Sequence, residues 1–191
     1  MSAAADDLPR CAWAFSAPEY VAYHDDEWGW PLHGEQALFE RLSLEAFQSG
    51  LSWLVILRKR PAFRAAFAGF DVDAVAGFDD ADEARLLADP GIVRNRAKVA
   101  ATIANARAVR DSVPEGLDEL LWSFAPVDPR RPATLADVPS TSAESVAMAK
   151  ELKRRGFRFV GPTTAYALMQ ATGMVDDHVA TCWRASGRSA E

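Results

Sequence analysis

The sequence predicts an all-α fold. Apolar residues recur at helical spacing through most of the chain, runs with strand-like alternation are scarce, and the helical runs break at prolines, glycines and capping residues. With 191 residues, 49% hydrophobic and 25% charged, the chain is long enough for one packed domain, expected as two helical lobes over 9–185. Residues 1–8 and 186–191 read as loose tails.

Taken in order, "GEQALFERLSLEAFQSGLSWLVILRKR" (34–60) carries Leu38, Phe39, Leu42, Leu44, Phe47, Leu51 and Leu54 in helical rhythm, with a break near Ser49-Gly50. "VDAVAGF" and "DDADEARLLAD" read as short helices, "RNRAKVAATIANARAVRDSV" as a long one ending before Pro114, and "GLDELLWSFA" as another. The proline-rich stretch 126–139 is an irregular connector. "STSAESVAMAKELKRRG" opens on a capping box, Thr141-x-x-Glu144, and stops at Gly156. "PTTAYALMQATG" restarts with Pro162 in a first turn and stops at Gly173. The helices on either side of the "GFRFVG" turn place a hairpin at 152–173.

Composition excludes several classes. No apolar run approaches the roughly 20 residues of a membrane helix. The opening "MSAAADDLPR" lacks the basic start and apolar core of a secretory signal, so a cytoplasmic protein with reduced thiols is expected. The net charge of −6 argues against a polyanionic partner, but its distribution argues less strongly. Residues 1–50 hold nine acids and two bases; residues 92–110 hold five bases and no acid; residues 150–158 hold five bases and one acid. Such runs suit either a nucleic-acid face or a solvated helix face.

Three features bear chemistry. The turn "GFRFVG" (156–161) suits a helix-hairpin-helix, whose amides and second-helix N-terminus face a DNA phosphate, and equally an ordinary helical hairpin. "CAWAFSAPEYVAYHDDEWGWP" (11–31) is dense in aromatics. His178 and Cys182 stand four apart in "VDDHVATC", on one face if that segment is helical, and Cys11 is the only other cysteine. Spacing alone leaves a metal site and two unrelated thiols both open.

Together the blocks "CAW", "YVAYHDDEWG", "QSGLSW", "PSTSAES", "LKRRGFRFVG" and "DDHVATC" closely resemble the 3-methyladenine DNA glycosylase I family, within the helix-hairpin-helix glycosylase superfamily. The match runs from residue 11 to 182. It implies a helix-hairpin-helix glycosylase-like fold whose N- and C-terminal segments join at a structural zinc held by Cys11, His24, His178 and Cys182. It further implies a monofunctional enzyme that hydrolyses the N-glycosidic bond of 3-methyladenine in double-stranded alkylated DNA, acting as a monomer.

By the same resemblance Glu45 contacts the lesion base, and Tyr23, Trp28 and Trp53 form its pocket with Trp13 nearby. Core packing is the alternative for each tryptophan, and a helix-edge carboxylate the alternative for Glu45. Gly156, Phe157, Arg158, Phe159, Val160, Gly161 and Thr163 form the expected DNA surface, with Leu51 as a wedge or as a core residue. Superfamily members that cut the backbone carry a lysine where this chain has Thr163, so a Schiff base is not expected. Asp176 lies where many superfamily members carry a catalytic aspartate and where this family commonly has asparagine; capping beside the zinc is the favoured role. Two other departures are Ala46 in place of a glycine and Phe47 in place of a glutamine, the latter a core residue or an altered pocket wall. The rival readings are a non-catalytic binder of damaged DNA and a glycosylase for another lesion.

Overall fold

A computed structural model describes residues 8–128 and 130–186, so the expected tails lie almost wholly outside the described residues. Among these residues there is no strand. The helices are α1 (Pro18–Asp26), α2 (Glu35–Gln48), α3 (Trp53–Ala66), α4 (Val72–Ala76), α5 (Asp80–Ala88), α6 (Arg96–Ser112), α7 (Leu117–Trp122), α8 (Ala143–Arg154), α9 (Pro162–Ala171) and α10 (Trp183–Ser186). None is long and apolar enough to cross a membrane.

Helix α2 organises the rest. Nine residues from Leu38 to Phe47 are buried, so it is covered on every side rather than along one stripe. It touches α3, α4, α6, α7 and α9. Two of those buried residues, Arg41 and Glu45, are charged, and one turn of helix separates them. Phe47 is fully buried, with its ring 4.7 Å from Phe63 and 5.9 Å from Phe67. It is a core residue; burial of such a ring contributes about 2 kcal/mol.

Two elements differ from the sequence reading. Helix α3 does not stop at residue 60 but runs through Pro61 to Ala66. The proline forfeits one backbone bond, and burial of Phe63 and Phe67 beyond it offsets the loss. Helix α8 is not capped by Thr141 and Glu144. Ser142 is the N-cap, and its hydroxyl and that of Ser145 each accept the other's backbone N–H, at 3.2 and 2.9 Å.

The two ends of the chain meet at the close of α9. Leu32 N–H donates to Thr172 O at 3.1 Å. Gly173, at φ +74°, lies so close that a Cβ there would stand 2.7 Å from Trp30 C and 2.8 Å from Gly29 O. Only glycine permits this approach. A second, smaller apolar cluster of Cys11, Val179, Cys182 and Ala185 forms beside it, flanked by Trp13 and Trp183.

Candidate functional site

That second cluster is built around four side chains that could hold a metal ion, Cys11, His24, His178 and Cys182. Cys11 precedes a 3-10 turn (Ala12–Ser16), His24 lies on α1, and His178 and Cys182 lie between α9 and α10. The segment holding the last two is not helical. Asp176 Oδ1 accepts from His178 N–H at 3.3 Å and a turn closes from Cys182 N–H to Val179 O at 2.8 Å, so the pair converges by turns rather than along a helix face. All four residues are buried, and their ligand atoms lie within 4.8 Å of one another.

The spacing fits a tetrahedral ion. Cys182 Sγ is 3.4 Å from His24 Nε2 and 3.6 Å from His178 Nδ1, and Cys11 Sγ is 3.7 Å from His178 Nδ1. Bonds of about 2.3 Å to sulfur and 2.0 Å to nitrogen at a tetrahedral angle separate those atoms by about 3.5 Å. The outward ring nitrogens are also engaged. His24 Nδ1 pairs with Asp25 Oδ1 at 2.8 Å, and His178 Nε2–H donates to Trp28 O at 3.2 Å. Asp25 in turn accepts from Arg10 at 2.7 Å and from Trp183 Nε1 at 3.2 Å. Burial lowers His178 to about 4, keeping it the neutral ligand form, and without a cation it pushes the Cys11 thiol up to about 12. A bound cation reverses the second effect and holds the thiolate.

Next to this cluster is a pocket of about 620 Å3. Trp13, Tyr23, Trp28, Glu45 and Trp53 all line it. Its aromatic wall is continuous with the metal cluster: Trp28 is 5.1 Å from Trp13 and 4.7 Å from the His178 ring, centroid to centroid. Tyr23 is 5.5 Å from Trp53. Glu45 is 5% exposed and its carboxylate has no hydrogen-bond partner among the described residues. Burial raises it to about 7, opposed by the charge of Arg41. Arg41 Nη1 donates to Tyr23 Oη at 2.9 Å.

The pocket holds residues that the sequence reading missed. Tyr20 and Gln48 also line it, each three positions from a predicted site residue on the same helix. Leu135 and Val138 come from the irregular connector, which has no periodicity to reveal them. Asp177 lines the pocket as well, accepting from Tyr166 Oη at 2.8 Å and Gln170 Nε2 at 2.7 Å. Its neighbour Asp176 instead pairs with Arg131 at 2.5 Å and caps the His178 N–H.

The hairpin joins α8 to α9. Phe157 N–H returns to Leu152 O at 3.0 Å and Gly156 N–H to Lys153 O at 3.1 Å, the double bond of a Schellman stop. Phe157 and Val160, expected on the DNA surface, turn their side chains into the core at 4% and 8% exposure, because the turn must seal against α6 and α9. Arg158, Gly161 and Thr163 are exposed. Phe159 is 45% exposed at φ +56°, an unusual conformation for a bulky residue. Asn105 on α6 holds the turn: its Oδ1 accepts from Arg158 N–H at 2.7 Å and its Nδ2 donates to Arg158 O at 3.1 Å.

Leu51 is 38% exposed in the α2–α3 turn, not a core residue. Lys98 Nζ caps the end of α2 there, donating to Phe47 O at 2.9 Å and to Ser49 O. The basic runs are largely engaged within the protein. Arg96 pairs with Glu83, Arg107 donates to the carbonyls of Ala76 and Phe78, and Arg154 and Arg155 pair with Glu151.

Comparison with known proteins gives a family. A family model described as methyladenine glycosylase matches residues 13–185. DNA-3-methyladenine glycosylase 1 of Escherichia coli (strain K12) is 44% identical over 179 residues, covering 92% of this chain and 96% of that protein. A crystal structure of 3-methyladenine DNA glycosylase I superposes with a TM-score of 0.87 at 43% identity, over 91% of this chain and 98% of that one. A substituted form of such an enzyme in complex with 3-methyladenine also superposes at 0.87, with 32% identity over 95% and 99% of the two chains.

Proposed function

The chain belongs to the methyladenine glycosylase family, and we propose that it is a monofunctional DNA glycosylase that hydrolyses the N-glycosidic bond of 3-methyladenine in alkylated double-stranded DNA. The observation that carries this reading is Glu45: a carboxylate with no hydrogen-bond partner among the described residues, buried at an aromatic pocket with room for a purine base. An isolated buried charge is costly, and a cationic base entering the pocket removes the cost.

A base stacked in a duplex is out of reach, so the nucleotide must leave the helix and enter the pocket. Tyr23, Trp28, Trp53 and Trp13 supply π-faces for the charged ring of 3-methyladenine, and Glu45 supplies the opposite charge. The C1′–N bond breaks with its electron pair going to the base, which departs neutral and needs no proton from the enzyme. Water adds to C1′ of the cationic sugar and releases a proton to solvent. Thr163 offers no amine, so the sugar is left as an abasic site with the strand intact.

Zinc suits the cysteine–histidine cluster in donor type and spacing, and holding all four positions closes it to catalysis. Its role is to tie the chain ends behind Trp13 and Trp28. The hairpin backbone, with Arg158, Phe159, Gly161 and Thr163, grips DNA, and Leu51 fills the gap left by the flipped nucleotide. Residues 9–185 act as one catalytic domain, monomeric and cytoplasmic, where both thiols stay reduced.

Methylated duplex DNA tests the activity. Abasic sites should accumulate without nicks, and borohydride should trap no protein on the DNA. A trapped adduct would reject the monofunctional mechanism, and absence of abasic sites would leave a damaged-DNA binder.

A further inference from the structure

Resting on that reading, we propose that Arg41 is a positioning residue of the base pocket: it fixes the Tyr23 hydroxyl as a donor into the pocket and holds Glu45 as the charged partner of the base. The geometry starts with burial. Arg41 is 8% exposed, one helical turn before Glu45 on α2. Its guanidinium lies 5.5 Å from the centroid of the Tyr23 ring and 5.6 Å from that of Trp53, against two rings that line the pocket.

The hydrogen-bond count follows. A tyrosine hydroxyl has one donor and two acceptor sites. Arg41 Nη1–H fills an acceptor site at 2.9 Å, and among the described residues nothing takes the Tyr23 proton. Turning the hydroxyl proton toward Arg41 would set it against N–H, so it is directed at the pocket's contents. Behind Arg41, Glu27 Oε2 accepts from Nη2 at 3.3 Å and Glu27 Oε1 accepts from Arg60 at 2.7 Å, which fixes the guanidinium plane. A lysine would supply the charge but not this two-sided fork.

The second consequence concerns charge. With Arg41 close against the Tyr23 and Trp53 rings, their attraction for a second cation is weakened, so recognition of a charged base depends on Glu45 being ionised. Burial favours its neutral form, and Arg41 is the group that opposes burial. The other titratable or charged groups near Glu45 are Tyr20 and Tyr23 of α1, Glu27 with Arg60 behind Arg41, and Asp177 after α9. Of these only Arg41 and Arg60 are cations, and Arg60 is committed to Glu27.

The test compares the full-length wild type with Arg41→Met and Arg41→Lys. Base release from methylated DNA is followed against pH, and the Glu45 carboxyl carbon is titrated by NMR without DNA. Arg41→Met should move the acid limb of release and the carboxyl midpoint upward together by about one unit, with release at pH 7 falling about fivefold and that at pH 9 changing far less. Arg41→Lys should keep the midpoint near that of wild type while weakening binding of free 3-methyladenine, because the Tyr23 hydroxyl loses its fixed orientation. A midpoint that does not move in Arg41→Met, with release lowered equally at every pH or unchanged, would overturn the proposal and leave Arg41 a packing residue. The NMR arm needs no activity, so a wild type that releases no base would count against the glycosylase reading and not against Arg41.

Discussion

Trp28 joins the cysteine–histidine cluster to the aromatic pocket through two contacts with His178. Its carbonyl oxygen accepts from His178 Nε2 at 3.2 Å, and its indole lies 4.7 Å from the imidazole while lining the pocket. The first contact fixes the tautomer that leaves Nδ1 free of its proton and facing the sulfurs of Cys11 and Cys182. An ion held there would act at a distance, by setting the position of a pocket wall.

Metal analysis should accordingly find about one zinc per chain. Chelation or Cys182→Ser should destabilise the fold by about 4 kcal/mol or more and loosen Trp13 and Trp28, read as a lower melting temperature and a changed tryptophan emission. A fully folded, metal-free protein with unchanged emission would remove the staple from the account.

Glu45→Gln should separate activity from stability. Base release should fall at least about a hundredfold with DNA affinity nearly unchanged, since the charge facing the base is lost. Stability should move the other way. Burial raises the folded carboxyl to about 7, above the ordinary 4.5 of a glutamate, so the folded state holds the proton more tightly. The wild type then loses stability as pH rises from about 4.5 to 7, on the order of 3 kcal/mol. Glutamine has no such slope. Unfolding curves at pH 5 and pH 8 should therefore show Glu45→Gln gaining on wild type only at the higher pH; equal slopes would show that Glu45 is already paired.

Asn105→Ala should act on DNA and not on the base. Losing both bonds to the Arg158 backbone frees the turn that presents Phe159, and DNA affinity should drop about tenfold. Binding of free 3-methyladenine, measured by tryptophan quenching, should stay at wild-type strength. A parallel loss of both would place Asn105 in general folding.

Asp176→Asn tests the division of labour between adjacent aspartates. Asp176 is turned toward Arg131 and the His178 backbone, so its replacement should cost stability while release changes less than about threefold. A drop of about a hundredfold in release by a folded variant would return Asp176 to the chemistry.

Much of this was legible in the sequence because it depends on local rules. Helical periodicity, Pro162 at a first turn and Gly156 at a stop placed α8, α9 and the hairpin between them. The two cysteines and two histidines of the candidate metal site and the pocket aromatics came from the family resemblance, and the structure brings each set together. What escaped depends on tertiary context. Nothing local tells Ser142 from Thr141 as a cap, or shows that Phe63 and Phe67 carry α3 through Pro61. A rhythm of apolar residues along α2 conceals that its polar positions are also buried, which is why Arg41 went unnoticed beside Glu45. Phe157 and Val160 read as surface because the motif suits a DNA face, yet the structure buries both.

The measurement that bears most directly on the central claim is chromatography of the bases freed from methylated duplex DNA by the wild type and by Glu45→Gln. The account predicts a 3-methyladenine peak with little 7-methylguanine for the wild type, and near loss of that peak for the variant. A folded, DNA-binding wild type that frees no 3-methyladenine, or a variant that frees as much, would contradict it.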